Sequence, residues 1–446
     1  MQNPRKEGVL VMKISSKWLI LLIAILLLVF PLLVACGDDD EETAKPTETM
    51  SPEDTKTPVE DVTIKIGLLT DKTGPAAQAL IAVDAGMADV VRYFNENDLI
   101  PGAKLEVIEY DTAYDPSNDI PGYEFLKQKG ADVICNGVPS AAITCKPRAD
   151  EDHMVMFSLT AAMPMYTPPG YVFCTDTPAD ALIYTTLDWL VDNDPNYPSD
   201  RPAKIGALGG EGPYAETIHA GVRAYVNAHP DQYELDEMVL VSWQTVDYSN
   251  EIANLLDCDY VVPPSTGKDI PSFMKQYRNA GGEARFLGTA AQIAYLGMLV
   301  QGAGYDVMDG MVFSISYTWW NEEGEAIDRI KQFLNDYHSE GEAATLKASG
   351  GAYRGGAGQW YGVCDIIAET INDVGIENFT SEALYDHAVG FEAEYDGNPW
   401  VFSADPEALP ADQRTCWTHL GIHEMDAEIQ ELSRLSDGWI PVLMTP

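Results

Sequence analysis

The feature that most constrains the fold is a regular alternation of strand and helix patterns that begins at Val62. The stretch VTIKIGLLTDKTGP (62–75) opens with apolar residues at alternate positions and then becomes a polar turn that contains glycine. An alanine-rich segment over 76–95 follows, with apolar residues three and four apart, which predicts a helix. Repeated units of strand, turn and helix indicate a parallel sheet with right-handed crossovers.

The alternation occurs twice along the chain, which indicates two α/β lobes. A chain of 446 residues is also too long for a single hydrophobic core. We therefore predict an α/β fold with two doubly wound parallel-sheet lobes. The predicted strands of the first half lie over 104–111, 131–136, 153–158 and 171–177, and those of the second half lie over 204–209, 237–243, 260–262, 285–288 and 310–316.

The last hundred residues have a less regular pattern. Glycines over 350–358 predict a loop, and the apolar spacing that follows predicts a helix over 359–374. A late strand is predicted over 415–423. Before this region, a helix is predicted over 292–301.

The segment over 12–36 has the features of a secretory signal. Lys13 and Lys17 precede an almost wholly apolar run over 18–34, and acidic residues follow Cys36. The sequence LVAC at 33–36 resembles a bacterial or archaeal lipobox, in which the cysteine becomes the lipidated N-terminus. We predict a lipoprotein signal over 1–36 with Cys36 as the lipidation site, and an uncleaved transmembrane anchor is the alternative. Both interpretations place the rest of the chain on the outer face of the cell membrane.

Residues 37–61 are rich in Thr, Pro and acidic residues, which cannot build a core, so we predict a flexible, extended tether. The whole chain has 27 basic and 70 acidic residues and a formal net charge of −43. This charge argues strongly against nucleic acid as a partner, which requires a basic surface. It does not indicate a cationic ligand, because charge spread over a surface mainly affects solubility.

The cysteine content permits disulfides but does not predict their pairing. Of the seven cysteines in the sequence, six remain when Cys36 is set aside. An even number outside the cytoplasm is compatible with disulfides. Cys135 and Cys145 are the closest pair in sequence, and a loop that short permits a bridge.

We predict that the chain is not an enzyme and has no catalytic residues, metal site or cofactor. His419 and His423 are four residues apart, but their segment is a predicted strand, where they are poorly placed to bind one zinc ion. Asp111 and Asp115 fit loop capping better than a catalytic carboxylate pair. The glycines over 350–358 lack the Lys and Ser/Thr of a phosphate-binding loop. We also find no G-x-S-x-G pattern of a hydrolase.

Five segments in order carry a family resemblance: IKIGLLTDKTGPAA (64–77), VIEYDTAYDP (107–116), ADVICNGVPSAA (131–142), MFSLTAAMP (156–164) and ALGGEGPYAE (207–216). Behind a lipobox, they resemble the solute-binding proteins of ABC transporters of the branched-chain amino acid type, which have the type 1 periplasmic binding protein fold. The resemblance covers roughly residues 62–446. It implies two lobes joined by a three-segment hinge near Asp176, Tyr317 and His419, with the ligand in the cleft between the lobes. The implied lobes are 62–176 plus 318–418 and 177–317 plus 419–446.

The resemblance also implies which residues contact the ligand. The loops of the first lobe would bind it first, and Tyr214 would then close onto it from the second lobe. Trp319, like Trp320 and Trp360, is expected near the edge of the cleft, either stacked on the ligand or packed in the core. The implied contacts are Thr73, Gly74, Ser140, Ala141, Thr160, Ala161, Ala162, Tyr214, Ala290 and Trp319.

One expected group is missing from the motif. In amino-acid binders of this family, a carboxylate that grips the ligand's amino group would fall within 288–291, and this chain has no acidic residue there. A buried ammonium group without a counter-charge is unfavourable. We therefore hypothesise that the ligand is an amide, a carboxylate or another small polar metabolite. Asp71 or Glu211 could substitute for the missing acid, which keeps an amino acid open as ligand.

The resemblance implies an extracytoplasmic lipoprotein that captures a small solute and delivers it to an ABC transporter permease. The alternative is a ligand-sensing module that signals to a separate membrane receptor. A receptor of this kind would usually carry a transmembrane helix and an output domain after the module, and the sequence has neither before Pro446. We therefore expect the transport role.

Overall fold

Two parallel sheets with the same strand order form the core of the protein. The structure is a computed structural model that describes residues 62–446 apart from residue 266. The predicted signal over 1–36 with Cys36, and the predicted tether over 37–61, lie outside the described residues. The described residues all belong to one compact unit.

The strands follow the predicted alternation, most of them within a few residues of the predicted bounds. They are β1 (Val62–Thr70), β2 (Ala103–Asp111), β3 (Val133–Asn136), β4 (Met156–Ser158), β5 (Val172–Cys174), β6 (Ala203–Gly210), β7 (Tyr233–Val241), β8 (Tyr260–Val262), β9 (Arg285–Gly288), β10 (Val312–Ile315), β11 (Glu392–Tyr395), β12 (Asn398–Val401), β13 (His419–Asp426), β14 (Glu431–Arg434) and β15 (Ile440–Pro441).

The helices are α1 (Ala77–Glu96), α2 (Asp119–Gln128), α3 (Pro139–Asp152), α4 (Met163–Tyr166), α5 (Ala179–Asn193), α6 (Pro213–Ala228), α7 (Ser249–Leu255), α8 (Asp269–Asn279), α9 (Ala290–Ala294), α10 (Leu296–Gly302), α11 (Tyr305–Met308), α12 (Glu325–Tyr337), α13 (Glu340–Ala348), α14 (Gly351–Val374), α15 (Ser381–Ala388) and α16 (Pro410–Arg414). In the described part of the chain, none of them is both long enough and apolar enough to cross a membrane.

The first sheet has the order β2-β1-β3-β4-β5, and its neighbouring strands run parallel. β1 is buried without interruption from Ile66 to Thr70. Helices cover both faces of a parallel sheet of this kind, so the residues that point to either face become buried. The alternation visible in the sequence therefore does not reappear as alternating exposure.

The second sheet repeats this order as β7-β6-β8-β9-β10, again with parallel neighbours. β13 then pairs antiparallel with β10, and β14 and β15 pair antiparallel with β13. The predicted fold of two doubly wound parallel-sheet lobes is confirmed. We call the β1–β5 sheet with its helices the first lobe, and the β6–β10 sheet with β13–β15 the second lobe. The exact residue bounds of the lobes remain a prediction.

The chain passes between the two sheets at three places, which we call the crossovers. The first crossover (175–178) follows β5, the second (316–318) follows β10, and the third (417–418) precedes β13. These positions agree with the three-segment hinge that the family resemblance implies.

Buried hydrogen bonds connect the crossovers to one another. The hydroxyls of Thr177 and Ser316 lie 2.7 Å apart, which connects the first crossover to the second. The indole N–H of Trp417 donates to the carbonyl of Thr175 at 3.2 Å, which connects the third to the first. The Asn398 amide donates to the carbonyls of Ser316 and His419 at 2.8 and 3.0 Å. The hinge is therefore one hydrogen-bonded cluster.

The glycine-rich segment over 350–358 was predicted as a loop, and this prediction is wrong, because the segment forms the first turns of α14. The glycines allow the backbones of α1 and α14 to approach closely. A Cβ on Gly86 would lie 2.8 Å from the backbone nitrogen of Ala357, and one on Gly356 would lie 2.8 Å from the Cα of Val83. Tertiary contact thus outweighs the low intrinsic helix propensity of glycine.

Two other element predictions also need correction. The helix predicted over 292–301 is divided at Tyr295 into α9 and α10. The late strand predicted over 415–423 begins only at His419, because residues 415–417 still make isolated bridges within the first lobe, to Cys174 and Trp400. Helix α13 and the β11–β12 hairpin had no clear sequence signal.

The six cysteines in the described part of the chain do not form disulfides. Cys135, Cys145, Cys174, Cys258, Cys364 and Cys416 are all free and buried, so the bridge that sequence spacing permits between Cys135 and Cys145 is absent. Burial raises the pKa of each thiol, to about 12 for Cys145. These thiols are therefore protonated core side chains with little reactivity.

Candidate functional site

A cavity of about 120 Å³ lies where residues that follow the carboxyl ends of both sheets meet. A parallel α/β sheet binds ligands at this edge. One water requires roughly 10–15 Å³, and an engineered cavity of about 150 Å³ holds benzene, so a solute of several non-hydrogen atoms fits. The lining residues are Ala76, Ala79, Leu80, Val83, Tyr114, Gly137, Pro139, Leu159, Thr160, Asp176, Tyr214, Ser265, Ala290, Ala291, Ala294, Tyr295, Tyr317, Gly351, Ala352, Gly355, Gly356 and Gln359.

Two closely packed helices form the apolar wall of the cavity. Helix α1 contributes Ala79, Leu80 and Val83, and Val83 lies on the same helical face as the other two because it is four residues from Ala79 and three from Leu80. Helix α14 contributes small residues from its first turns, including Gly355 and Gly356. The same glycines that allow the helices to approach therefore also leave room for a ligand.

Tyrosines surround the cavity and come from both lobes. Burial raises the pKa of Tyr114 to about 12, with smaller contributions from nearby carboxylates. Burial also raises the pKa values of Tyr214, Tyr295 and Tyr317. These hydroxyls therefore stay protonated at neutral pH, so each can donate a hydrogen bond to a ligand.

Asp176 is the charged residue in the lining and belongs to the first crossover. One carboxylate oxygen accepts the backbone N–H of Thr177 at 2.9 Å. Burial raises the pKa of Asp176 to about 7, and the Thr177 N–H offsets this rise only in part. No ion pair to Asp176 is present in the described part of the chain. Near neutral pH this carboxyl can therefore either donate or accept a hydrogen bond.

Two buried hydroxyls lie at the first-lobe side without a hydrogen-bond partner among the described residues. They belong to Thr160, which lines the cavity, and to Ser140, which follows the lining residue Pro139. Buried polar atoms in proteins nearly always have partners. The Thr160 hydroxyl is therefore a candidate ligand contact, as the sequence predicted.

The second-lobe side is held by a network at the start of α9. The Thr289 backbone N–H and hydroxyl both donate to the side-chain oxygen of Gln292 at 2.8 Å. The Gln292 amide donates in turn to the carbonyls of Pro263 and Pro264 at 3.0 and 3.2 Å. The Tyr214 hydroxyl lies 3.3 Å from the Thr289 hydroxyl. These bonds fix the position of Tyr214 against the end of β8.

The structure brings three of the predicted contacts to this cavity, namely Thr160, Tyr214 and Ala290. Thr73 and Gly74 do not line it. The Thr73 hydroxyl donates to Asp111 at 2.9 Å on the surface. Gly74 fits tightly against the backbone, since a Cβ there would lie 2.4 Å from the carbonyl oxygen of Ala113.

The remaining predicted contacts also lie outside the lining. Ser140 is adjacent to it, and Ala141, Ala161 and Ala162 are fully buried behind it. Trp319 lines a separate groove and donates its indole N–H to Glu431 at 2.7 Å. The assignment of these residues as ligand contacts remains a prediction.

The two acids that sequence analysis offered as substitutes are placed elsewhere. Asp71 is buried, and its carboxylate accepts the backbone N–H groups of Thr73, Gly74 and Ala76, so it shapes the loop after β1. Glu211 is exposed and does not line the cavity.

Sequence reasoning missed Asp176, Tyr317, Tyr295 and Gln359 as site residues. A signal existed for the first two, because each follows the carboxyl end of a strand, β5 or β10, at an expected crossover. Gln359 lies in α14 and accepts the Thr175 hydroxyl at 3.0 Å, which ties this wall to the first crossover. Within the described residues, no cluster of three or more His, Cys, Asp or Glu side chains is arranged to hold a metal ion.

Comparison with known proteins agrees with this geometry. The solved structures with the same fold include a branched chain amino acid ABC transporter protein from Thermus thermophilus with bound valine (TM-score 0.71, 16% identity, 85% of this chain and 97% of that chain). They also include a fatty acid ABC transporter substrate-binding protein from Thermomonospora curvata (TM-score 0.68, 18% identity, 85% of this chain and 92% of that chain). A third is a solute-binding protein of an ABC transporter from Rhodopseudomonas palustris BisB5 in complex with 3,4-dihydroxy benzoic acid (TM-score 0.67, 18% identity, 86% of this chain and 99% of that chain).

A search among curated proteins finds no match. In contrast, the model of the periplasmic binding protein family matches residues 63–386, which is most of the chain. With the repeated strand order, the three crossovers and the cavity between the lobes, this match leads to one conclusion: the chain belongs to the periplasmic binding protein family and has its type 1 fold.

Proposed function

We propose that this protein is an extracytoplasmic solute-binding lipoprotein that captures a small polar solute between its lobes and delivers it to an ABC transporter permease. The observation that carries the proposal is the cavity itself, because residues of both lobes line it and polar side chains lie among its apolar ones. A ligand there would contact Thr160 of the first lobe and Tyr214 of the second lobe at the same time.

The solute that fits best carries an N–H group opposite Asp176. The carboxyl of Asp176 has no counter-ion among the residues that the structure describes, and an ammonium or amide group would supply a hydrogen-bond donor to it. Asp176 could therefore supply the counter-charge for a ligand's ammonium group that residues 288–291 do not supply. The absence of an acidic residue there then no longer argues against an amino acid as ligand. An amino acid, including a branched-chain one, or an amide is therefore the proposed ligand class, with a carboxylate as the less favoured candidate.

The apolar wall limits the size of the rest of the solute. Leu80 and Val83 would pack against a short aliphatic or aromatic group, and the volume of about 120 Å³ excludes a long chain. Proteins of this fold bind valine and 3,4-dihydroxy benzoic acid, and one is named for fatty acids, so the fold alone does not determine the ligand.

The proposed mechanism is closure of the lobes about the crossovers. A solute bound to the first lobe alone would not favour closure, since only contacts made in the closed form shift the equilibrium. Tyr214 and Asp176 would provide those contacts, one from the second lobe and one from the hinge. The closed form would then dock on the permease, with Cys36 anchoring the chain to the membrane by its lipid. In this role the protein transfers a solute unchanged and is not an enzyme.

A thermal-shift screen of the purified protein tests the proposal. The panel contains aliphatic and aromatic amino acids, their amides, and the matching carboxylic acids that lack the amino group. A true ligand at about 100 times its Kd adds about 2.7 kcal/mol to the free energy of unfolding, which is a shift of several degrees.

We expect shifts with an amino acid or an amide and smaller shifts with the matching acid. A larger shift with the acid would contradict the assigned role of Asp176 but leave solute capture intact. No shift with any compound would contradict the capture of a solute of these chemical classes.

A further inference from the structure

Arg354, near the start of α14, is a cation in the protein interior without an ion-pair partner among the described residues. Its side chain is only 3% exposed. The Nε atom donates to the carbonyl of Thr318 at 2.8 Å, and the guanidinium carbon lies 5.0 Å from the centre of the Tyr317 ring. Over residues 62–446 without residue 266, its two Nη atoms have no hydrogen bond, and no carboxylate forms an ion pair with it. A buried charge requires acceptors or an opposite charge.

A second, smaller cavity of about 20 Å³ lies at this guanidinium group. Arg329 of α12 also lines it and has no ion pair within the described part of the chain. The Arg329 guanidinium stacks over the Tyr361 ring at 4.6 Å. Two arginines therefore face one small space, in a protein with far more acidic than basic residues.

The carboxylates nearest to this space are occupied by other partners. Asp396 accepts the backbone N–H groups of Ala326 and Ile327 at 2.8 and 3.2 Å. Asp365 accepts the Tyr395 hydroxyl at 2.8 Å, and burial raises the pKa of Asp365 to about 6. Glu322 accepts from Arg434 and from the backbone N–H of Trp319. None of these acids lines the small cavity.

We propose that this small cavity binds an inorganic anion of the size and charge of chloride, held by the Nη atoms of Arg354 and by Arg329. Its volume suits one or two water-sized particles, so a single monoatomic ion fits, whereas the carboxylate of a larger solute does not. Arginine presents several N–H donors in a fixed plane and suits such an anion. Burial lowers the pKa of Arg354 to about 10, and Tyr317 and the more distant carboxylates of Asp396 and Glu322 offset this lowering only in part.

The position of the site connects it to the hinge. Thr318 of the second crossover and Trp417 of the third line it. Tyr317, Gly355 and Gln359 line both this cavity and the ligand cavity. An anion at Arg354 would therefore hold the crossovers and the Tyr317 ring in place from behind the ligand site. The inference does not depend on the identity of the solute.

Melting of the purified protein in halide and gluconate salts at equal ionic strength tests this proposal. Equal ionic strength removes the general effect of salt on a protein of charge −43. We expect the Tm to increase with chloride or bromide along a saturating, single-site curve, and not with gluconate. Crystals grown in bromide should show an anomalous peak beside the Nη atoms of Arg354.

Two variants complete the test. Arg354→Met should lose the halide-specific increase in Tm. Arg92→Met removes the same charge from an exposed pair with Glu96 and should keep the increase. Should Arg354→Met fail to fold, Arg329→Gln provides the weaker-binding variant. Equal Tm values in halide and gluconate together with no anomalous peak would mean that only water occupies the cavity, which would overturn the proposal. An undiminished halide effect in a folded Arg354→Met protein would overturn it too.

Discussion

Thr177 of the first crossover and Ser316 of the second share a buried hydrogen bond, with their hydroxyl oxygens 2.7 Å apart. The bond joins the two chain segments that border Asp176 and Tyr317, the residues that the hinge contributes to the ligand cavity. The hinge therefore both connects the lobes and supplies part of the site. A change that loosens the crossovers should alter the position of these two side chains.

We predict that Thr177→Val and Ser316→Ala each destabilise the protein by about 1–3 kcal/mol, because each leaves the other hydroxyl buried without its partner. The double variant should cost less than the sum of the two, since it removes both polar groups. Denaturant unfolding of the four proteins measures this coupling. Thr177→Val combined with Thr370→Val serves as the control, because Thr370 bonds only within α14, and this pair should be additive. If the losses of stability from Thr177→Val and Ser316→Ala are additive in the double variant, the hydrogen bond between these hydroxyls contributes nothing to the free energy of unfolding.

We predict that Asp176→Asn stabilises the protein at pH 8. Burial raises the pKa of Asp176 to about 7 in the folded state, above its unfolded value of about 3.9. The folded state therefore binds this proton more tightly. The associated stability is complete below pH 4 and is lost as the pH rises to 7. The loss is at most about 4 kcal/mol, at about 1.4 kcal/mol per pH unit.

The difference in Tm between Asp176→Asn and wild type measures this effect, because titrations that both proteins share cancel. The difference should grow from pH 4 to pH 7 and then stay constant. A difference that does not change with pH would show that folding does not raise the pKa of Asp176.

Ligand affinity should also depend on pH, with a sign set by the chemistry of the solute. A solute with an ammonium group binds best to ionised Asp176, so its affinity should increase as the pH rises from 5 to 8. A solute that accepts a hydrogen bond from protonated Asp176 should instead lose affinity over this range. Calorimetric titration at three pH values decides between the two, and Asp176→Asn should remove either trend.

We predict that Tyr214→Ala weakens solute binding by at least about tenfold, because it removes a ring and a hydroxyl from the second-lobe wall. Tyr214→Phe should cost only a few-fold, since one hydrogen bond contributes about 0.5–1.5 kcal/mol. Tyr197→Phe is the matched control, because it removes a second-lobe hydroxyl that bonds to Gln232 away from the cavity. Equal affinities for Tyr214→Ala and wild type would remove Tyr214 from the site.

The contact between α1 and α14 should not tolerate a side chain. Gly86→Ala would place a Cβ 2.8 Å from the Ala357 nitrogen, and we expect a loss of about 1–3 kcal/mol in the free energy of unfolding. Gly341→Ala in α13 meets nothing within 4 Å and should stabilise the protein by up to about 1 kcal/mol. Urea unfolding measures both. A neutral Gly86→Ala would mean that the helices can separate at no cost.

The fold could be predicted from sequence because the strand and helix periods alternate clearly from Val62 to Ile315. The segment over 350–358 could not, because its glycines are selected by contact with a helix that lies far away in sequence. Thr160 and Tyr214 could be found because each follows a strand end in a recognisable motif. Asp176 was missed as a site residue because its approach to the cavity depends on how the crossover passes between the sheets. Arg354 gave no signal, since burial without a partner is visible only in three dimensions.

The most direct test of solute capture is calorimetric titration of Ala79→Leu with the solute that the screen identifies. Ala79 is buried in the cavity wall on α1, so a leucine there would fill part of the space of about 120 Å³. Ala88→Leu adds the same atoms on the exposed side of the same helix and controls for effects on α1. We predict that Ala79→Leu lowers the affinity at least tenfold while Ala88→Leu binds like wild type. Equal affinity of all three folded proteins would show that the solute binds elsewhere and would contradict the account.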